Sequence, residues 1–412
     1  MNLYFLMTAL FMAMAALIAA DAALTSFTLL PWFNGLRWLR IHFITLGAVT
    51  EAFFGLLPTI VAIQAGLPRP KFRWDIWLTL NIGLLTLLVG IPIVNRPLIF
   101  VGGTLIFIAT TLLIIQLRQM QDAPARRATT GGSLGRKFYI AGLAYFLVGI
   151  LVGTGLWLGW SAWLRIAIPI EVHIHANNWG FLTLLFAGLL VDMYPTWAQR
   201  PLAWPRSITP IFWMLTIGAL GLVLGPWLQS NWFSVPGVIL FLTATIWLLL
   251  NVIKPLRGDK AIWSQPGIWH LVTAYFWILA PVLVAPLIIF EAPGFPGAGV
   301  EQNAPQALIY GWVLQFSYAF IPYFFYRLFQ PERPARLGGS WLSLATVHIG
   351  GFFLWAGIFA ADYQGMLHGA AYLFWTISML PIVWELWRIA RQGLASLTDR
   401  SLSLESRTAA AD

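Results

Sequence analysis

Six histidines are the side chains with the clearest potential for metal chemistry in this chain of 412 residues. They are His42, His173, His175, His270, His348 and His368. An imidazole ligates haem iron, copper or zinc through one ring nitrogen, and it also carries protons. Cysteine is absent, which excludes disulfides, thiolate-bound zinc and thiolate-held iron–sulfur clusters. Any metal is therefore expected to be held by histidine, carboxylate or methionine.

The histidines lie in or beside long apolar segments. Of all residues, 59% are hydrophobic and only 9% are charged, and the mean hydropathy is +0.78. A water-facing surface needs more charge than this, whereas a lipid-facing surface does not. A membrane helix needs ~20 apolar residues. Twelve runs qualify: 3–30, 38–64, 76–94, 97–117, 137–160, 172–195, 208–228, 234–253, 268–290, 305–328, 341–361 and 365–389. The sequence therefore predicts an all-α, polytopic membrane protein with about twelve transmembrane helices.

The basic residues predict the orientation of these helices. If the amino terminus is inside, all but four of the 24 Lys and Arg residues fall on the cytoplasmic side. The four exceptions are Arg37, Arg40, Arg96 and Arg165. Basic loops stay in the cytoplasm and meet anionic lipid head groups. We therefore predict a multi-pass protein of a bacterial or archaeal inner membrane, with both termini cytoplasmic. The net charge of +9 is thus assigned to the lipid bilayer and not to nucleic acid.

An internal repeat divides the chain. Helix 2 reads IHFITLGAVTEAFFGLL and helix 6 reads IHANNWGFLTLLFAGLL, with eight of 17 positions identical. Among the identities His42 pairs with His175 and Gly47 with Gly180. A fainter third copy places Gly311 of helix 10 at the same glycine position. We predict one transmembrane domain, residues 1–390, built from four-helix repeats at about 1–117, 137–254 and 268–390. A polar cytoplasmic tail, residues 391–412, is predicted to be disordered.

The depths of the histidines suggest how they group. His42, His173, His175 and His368 all lie near the outer starts of even-numbered helices, whereas His270 is expected to be an interfacial side chain. Haem held in a helix bundle takes axial imidazoles from facing helices at similar depth. His42 and His368 meet this condition if helices 12, 1 and 2 are neighbours. We therefore predict a haem b ligated by this pair, with His348 as the reserve for His368.

The pair His173 and His175 has a geometry of its own. Residues two apart on an α-helix point about 200° apart, so one metal cannot easily take both. The pair serves either two sites on opposite faces of helix 6, or one site with the second histidine at the interface. Both readings remain open.

Glu51 places a carboxyl group near mid-membrane, nine residues after His42. An ionisable group at this depth is costly unless it has a function or a partner. It is expected to be either a proton-relay group or a neutral acid hydrogen-bonded to a neighbour. We favour the proton path.

These features resemble the core subunit of the haem–copper oxidase superfamily, which includes cytochrome oxidases and nitric oxide reductases. The stretch HIHANNWGFLTLLFAGLLVDMYP is also similar to the NnrS-type membrane proteins, associated with haem, copper and nitric oxide stress. The resemblance implies that His42 is a haem ligand, and that His173 or His175 ligates copper. It also implies a redox partner protein or further membrane subunits.

The sequence departs from that family in three helices, the first being helix 6, which lacks the tyrosine expected near the copper histidine. Helix 10 carries Gln306 and Tyr310 and lacks the expected histidine pair, and residues 208–228 contain no histidine. A complete binuclear centre is therefore not expected. The expectation that remains is a haem-binding, electron-transferring or nitric oxide- or oxygen-related membrane protein. Two alternatives stay open: a transporter or metal-handling permease, since internal repeats also build transporters, and a cofactor-free structural subunit of a respiratory complex.

Overall fold

The computed structural model of the protein describes residues 3–27, 29, 37–121, 134–334 and 336–409. Within these ranges it contains twelve helices of 17 residues or more and no β-strand. They are α1 (Leu3–Ser26), α2 (Trp38–Ala65), α3 (Trp74–Gly90), α4 (Arg96–Gln119), α5 (Arg136–Leu158), α6 (Pro169–Ala198), α7 (Ile208–Leu228), α8 (Asn231–Ile253), α9 (Pro266–Ile289), α10 (Gly297–Phe329), α11 (Trp341–Phe359) and α12 (Gln364–Ala409). The predicted all-α, polytopic membrane fold is confirmed.

Eleven of these helices are long and apolar enough to cross a membrane, and α3 is a shorter apolar helix. The predicted runs agree with the helices to within four residues except at two ends. Helix α10 begins at Gly297, eight residues before the predicted run, because its first turns are polar and Pro305 was read as a break. Helix α12 continues to Ala409 and so extends into the tail for which we predicted disorder.

The described chain forms two compact units. The terminal unit comprises residues 1–52, 263–277 and 299–412, and the central unit comprises residues 53–262 and 278–298. Histidines 42, 270, 348 and 368 belong to the terminal unit, and histidines 173 and 175 belong to the central unit.

A wide helical turn interrupts the second helix of each predicted repeat. These seven-residue π-helical segments are Phe43–Val49 in α2, Ala176–Leu182 in α6 and Leu308–Leu314 in α10. The first two begin directly after His42 and His175. The third begins one residue later than the alignment on Gly311 suggests. A π-turn is rare and often lies at a functional site. Its recurrence in these three helices, at one register in the first two and one residue later in the third, agrees with the predicted repeat.

Each wide turn contains a glycine that packs against an aromatic ring of the preceding helix. A Cβ atom on Gly47 would lie 2.6 Å from Phe11 Cγ, closer than real Cβ contacts. A Cβ on Gly180 would lie 2.6 Å from Tyr145 Cβ and Cδ1, and one on Gly311 would lie 2.6 Å from Trp277 Cδ1. Glycine is therefore required at all three positions, because it alone lets the helix approach the ring.

The residue after each wide turn distinguishes the third repeat from the others. The hydroxyl of Thr50 donates to the carbonyl of Thr45 (2.8 Å), five residues earlier. Thr183 donates in the same way to Asn178 (2.8 Å). The residue directly after the third wide turn is Gln315, which reaches across to other helices instead. Because this turn begins one residue later, Gln315 aligns with Glu51 and Leu184 and not with the two threonines.

The third and fourth helices of each repeat cross at small residues. Such residues let two backbones approach closely in a membrane, where packing drives helix association. A Cβ on the glycine of the third helix would lie about 3 Å from a carbonyl oxygen of the fourth. The pairs are Gly83 with Gly102, Gly218 with Gly237, and Gly350 with Ala371.

Candidate functional site

His42 is held in a defined orientation at the entrance to the first wide turn. Its Nδ1 lies 2.7 Å from the carbonyl oxygen of Trp38, one turn earlier. Its ring stacks on Trp38 with 4.2 Å between ring centroids and 13° between planes. Because a carbonyl only accepts, Nδ1 carries the proton and the ring lone pair is on Nε2. Histidine ligands of metals are commonly held in place by a hydrogen bond from their other ring nitrogen, as here.

His173 and His175 are fixed in the same way, but to different helices of the central unit. Nδ1 of His173 lies 2.9 Å from the carbonyl oxygen of Gly149 in α5. Nδ1 of His175 lies 2.5 Å from that of Leu222 in α7. The expected divergence of the two rings is thus observed, and one metal does not take both. Both rings have their lone pair on Nε2.

No group of three or more histidine or acidic side chains is close enough to hold a metal ion within the ranges that the structure describes. Two imidazoles from facing helices suffice for haem iron, whereas a protein copper or zinc site takes more ligands. The copper predicted for His173 and His175 therefore has no supporting ligand cluster in the described residues.

His368 lies in the second turn of α12, in the same compact unit as His42. Its ring is half-buried and faces Gly357 of α11, where a Cβ would lie 3.2 Å from Cδ2 and 3.4 Å from Nε2. Gly369, the next residue, packs against Phe27 at the end of α1. Helix α1 also packs on the wide turn that follows His42. Helices α12, α1 and α2 are therefore neighbours, as we expected.

Polar side chains join α2, α10 and α12 close in sequence to these histidines. The guanidinium of Arg40 lies 5.3 Å from the ring centroid of Tyr372, one turn after His368. The hydroxyl of Tyr310 donates to the carbonyl of Arg40 (2.9 Å), and that of Tyr372 donates to Gln306. Gln306, which occupies a predicted ligand position of the resembled family, is thus engaged with Tyr372.

His348 belongs to a closed hydrogen-bonded group of three helices. Its Nδ1 accepts from the indole nitrogen of Trp277 (3.1 Å), so Nε2 carries the proton and donates to Thr273 Oγ1 (2.8 Å). Thr273 also accepts from Gln315 Nε2 (2.8 Å) and donates to the carbonyl of Trp269 (2.7 Å). The lone pair of His348 therefore points at Trp277, which makes this ring the weaker of the two partners that we predicted for His42.

His270 is fully buried, contrary to the interfacial position that we predicted from its place near the start of α9. Its Nε2 lies 3.0 Å from Ser343 Oγ and 3.3 Å from the carbonyl oxygen of Ser340. Gly339 packs against the ring of His270. The φ of Gly339 is +93°, a backbone conformation that favours glycine. His270 is buried by packing between helices, and a hydropathy profile does not predict such contacts.

Two buried carboxyl groups lie in α2 and α6. Glu51 is 0% exposed, two residues after the first wide turn, and its role in a proton path stays a prediction. Asp192 accepts from the backbone N–H of Gly135 (3.0 Å) and from the hydroxyl of Tyr139 (3.0 Å). It thereby caps the start of α5, which is a structural role.

Sequence reasoning missed Trp277, Thr273 and Gln315. One signal was present in the sequence, since a polar residue precedes Ile-Gly in the third helix of every repeat. The three motifs are Asn81-Ile82-Gly83, Thr216-Ile217-Gly218 and His348-Ile349-Gly350.

Comparison of the chain with protein-family models and with curated proteins gives no match. Its function is therefore inferred from these residues themselves.

Proposed function

We propose that this protein binds one haem b through His42 and His368 and passes electrons within the membrane. The observation that carries the proposal is the orientation of His42. Its protonated Nδ1 is bound to the carbonyl of Trp38, its ring is stacked on the Trp38 indole, and its lone pair is on Nε2. This is the donor chemistry of a haem axial ligand whose ring is held by the surrounding protein.

The position of His368 supports its role as the second ligand. Both imidazoles lie in the same compact unit, half-buried, on helices that both pack against α1. The contact between Arg40 and Tyr372 brings the outer parts of α2 and α12 together. His42 and His368 would hold the haem through their two neutral imidazoles, and the group when bound would supply one-electron transfer.

The protein's own contribution is to orient both rings and to keep water away from them. On one side of α2, aromatic packing excludes water. Phe11 lies against the wide turn at Gly47, and the ring centroids of Phe11 and Phe43 are 6.1 Å apart. Arg40 places a positive charge beside this region, where it would stabilise acidic groups of a bound tetrapyrrole. The nitric oxide- or oxygen-related reaction stays a prediction. The same holds for copper as a further cofactor.

The test is the visible absorption spectrum of the purified protein, before and after dithionite. We expect a low-spin haem b spectrum in the wild type, and its loss in both His42→Ala and His368→Ala. The matched control is His175→Ala, because His175 precedes the second wide turn and makes the same kind of Nδ1 bond as His42. Full haem content in His42→Ala would defeat the assignment. A wild-type protein without haem would leave the cofactor-free respiratory subunit as the better account.

The proposed place of this protein is a bacterial or archaeal inner membrane, with both termini in the cytoplasm. The bias of basic residues toward one set of loops supports this orientation. A protein that transfers electrons needs a donor or an acceptor. The proposal therefore includes a redox partner protein or further membrane subunits.

One observation favours the alternative of a transporter or metal-handling permease. The second helix of each repeat is interrupted by a wide turn, and transporters use irregular helices at substrate sites. Haem-free protein that accumulates a metal ion in proteoliposomes would support this alternative over haem binding.

A further inference from the structure

Helix α7 has an exposed face that is basic at its start and apolar further along. Arg206, in the turn that leads into the helix, and Thr209 lie at the start of this face. Trp213, Ile217 and Leu220 continue it at steps of three or four residues, and they are 55%, 51% and 45% exposed. An exposed apolar stripe on a membrane helix faces the acyl chains of lipids, so its basic end lies at the level of the lipid head groups.

Lys137 of α5 adds a second cation to this end of α7, and its position is fixed by three contacts. Its Nζ donates to Thr209 Oγ1 (3.0 Å). The same ammonium group lies 5.0 Å from the ring centroid of Phe212 and 6.0 Å from that of Phe138, where a cation is attracted to an aromatic face. Because Thr209 follows Arg206 by three residues, Lys137 and Arg206 both lie at the start of the apolar stripe.

Neither Lys137 nor Arg206 forms an ion pair with a carboxylate of the described residues. Arg200, in contrast, lies only six residues before Arg206 and is neutralised by Asp259 (2.6 Å). Two cations at one helix end that are not neutralised attract an anion. A phosphate group suits them, because it accepts strong charge-assisted hydrogen bonds from both lysine and arginine.

The equivalent helix of the first repeat has the same kind of stripe but an acidic residue at its start. In α3 the side chains of Leu78, Ile82 and Leu85 are 45%, 52% and 53% exposed. Arg73, which precedes this stripe, is bound through two nitrogen atoms to the carboxylate of Asp75 (2.8 and 2.5 Å). The carboxylate of Asp75 neutralises Arg73 and would repel a phosphate group, so α3 is not expected to share the properties of α7.

We propose that an anionic phospholipid binds at the start of α7, with its phosphate group on Lys137 and Arg206 and an acyl chain along Trp213 and Ile217. The two cations would also suit free phosphate, but only a lipid uses the apolar stripe that continues from them. Each basic residue near a membrane surface strengthens the binding of anionic lipid by roughly fivefold. The site does not involve the proposed haem ligands and is independent of haem binding.

The test uses the absence of cysteine from the chain, which lets a single fluorescent label be attached at a chosen residue. Ile217→Cys carries the label on the stripe of α7, and Ile82→Cys carries it at the equivalent position of α3. The labelled proteins are placed in vesicles with increasing amounts of phosphatidylglycerol or phosphatidylcholine whose brominated acyl chains quench the label on contact. At position 217 we expect half-maximal quenching at a mole fraction of phosphatidylglycerol at least fivefold lower than that of phosphatidylcholine. At position 82 the two mole fractions should be equal.

Charge-removing variants assign the preference to the two cations. Lys137→Gln combined with Arg206→Gln should abolish the preference at position 217. Lys71→Gln is the matched control, because it removes an exposed lysine before α3 and should leave the preference unchanged. Arg206→Gln alone keeps the contacts of Lys137 with α7, which guards against disturbed helix packing, and should still lower the preference at least twofold.

Three results would overturn the proposal. The first is equal quenching by the two lipids at position 217 when both cations are present. The second is an undiminished preference in the double variant. The third is an equal preference at positions 82 and 217, which would show a general attraction of anionic lipid to the protein and no site on α7.

Discussion

The close approach of Gly180 to Tyr145 makes Gly180→Ala a direct test of the wide turns. The added Cβ would lie 2.6 Å from two atoms of Tyr145, whereas ordinary contact begins at 3.4 Å, so the ring must move by close to an ångström. Overpacking of this kind costs about 1–3 kcal/mol. Displacing the ring also weakens the bond from its hydroxyl to the carbonyl of Thr216 (2.7 Å), which contributes a further ~1 kcal/mol. We therefore expect a loss of about 2–4 kcal/mol in the free energy of unfolding.

Two further alanine variants calibrate this value. Gly47→Ala meets Phe11, which has no hydroxyl to displace, so only the packing cost of about 1–3 kcal/mol is expected. Gly365→Ala is the control, because no atom lies within 4 Å of its Cβ position in α12. Replacing a helical glycine by alanine there should stabilise the protein by up to ~1 kcal/mol.

The measurement is reversible unfolding in mixed micelles of a mild detergent and dodecyl sulfate, followed by circular dichroism. The free energy of unfolding is obtained by linear extrapolation to zero denaturant. Gly180→Ala with a stability within about 0.5 kcal/mol of the wild type would refute the packing of Tyr145 on the wide turn, since an overlap of this size has to be relieved somewhere.

Two further outcomes follow from the cap on α5 and from the orientation. Asp192→Leu leaves the buried donors of Gly135 and Tyr139 unsatisfied and should lower the free energy of unfolding by about 2–5 kcal/mol in the same assay. Asp192→Asn keeps one acceptor oxygen and should lower it by less. Equal losses in the two variants would contradict the capping role of Asp192. Because the chain has no cysteine, Thr129→Cys and Gly297→Cys are single reporters of topology. An impermeant maleimide applied to whole cells should label only the second, and labelling of position 129 would reverse the predicted orientation.

The sequence predicts the helices well because their signal is local. A run of apolar side chains is written in consecutive residues, and α7 agrees with its predicted range at both ends. The start of α10 was missed because its first turns are polar and contain Pro305, although a proline is tolerated where packing compensates for the lost bond. The repeat was visible because His42 and His175 lie in matching segments.

The candidate sites were predicted less completely because they depend on contacts between distant segments. The bond from His42 to Trp38 is local, and its i−4 spacing can be read from the sequence. The group around His348 unites residues up to 75 positions apart, so neither its members nor its tautomer can be derived from spacing. That Gln315 directly follows the third wide turn is apparent only once the turns themselves have been located.

The wide turns also bear on how this chain arose. A π-turn corresponds to one residue inserted into an α-helix, and such turns occur at one register in α2 and α6 and one residue later in α10. The simplest history is a single insertion in an ancestral four-helix protein, followed by two duplications that fused three copies into one chain. Fusion into a single chain lets one copy change while the other two keep their original side chains, and the group of Gln315 and His348 is found in the third copy.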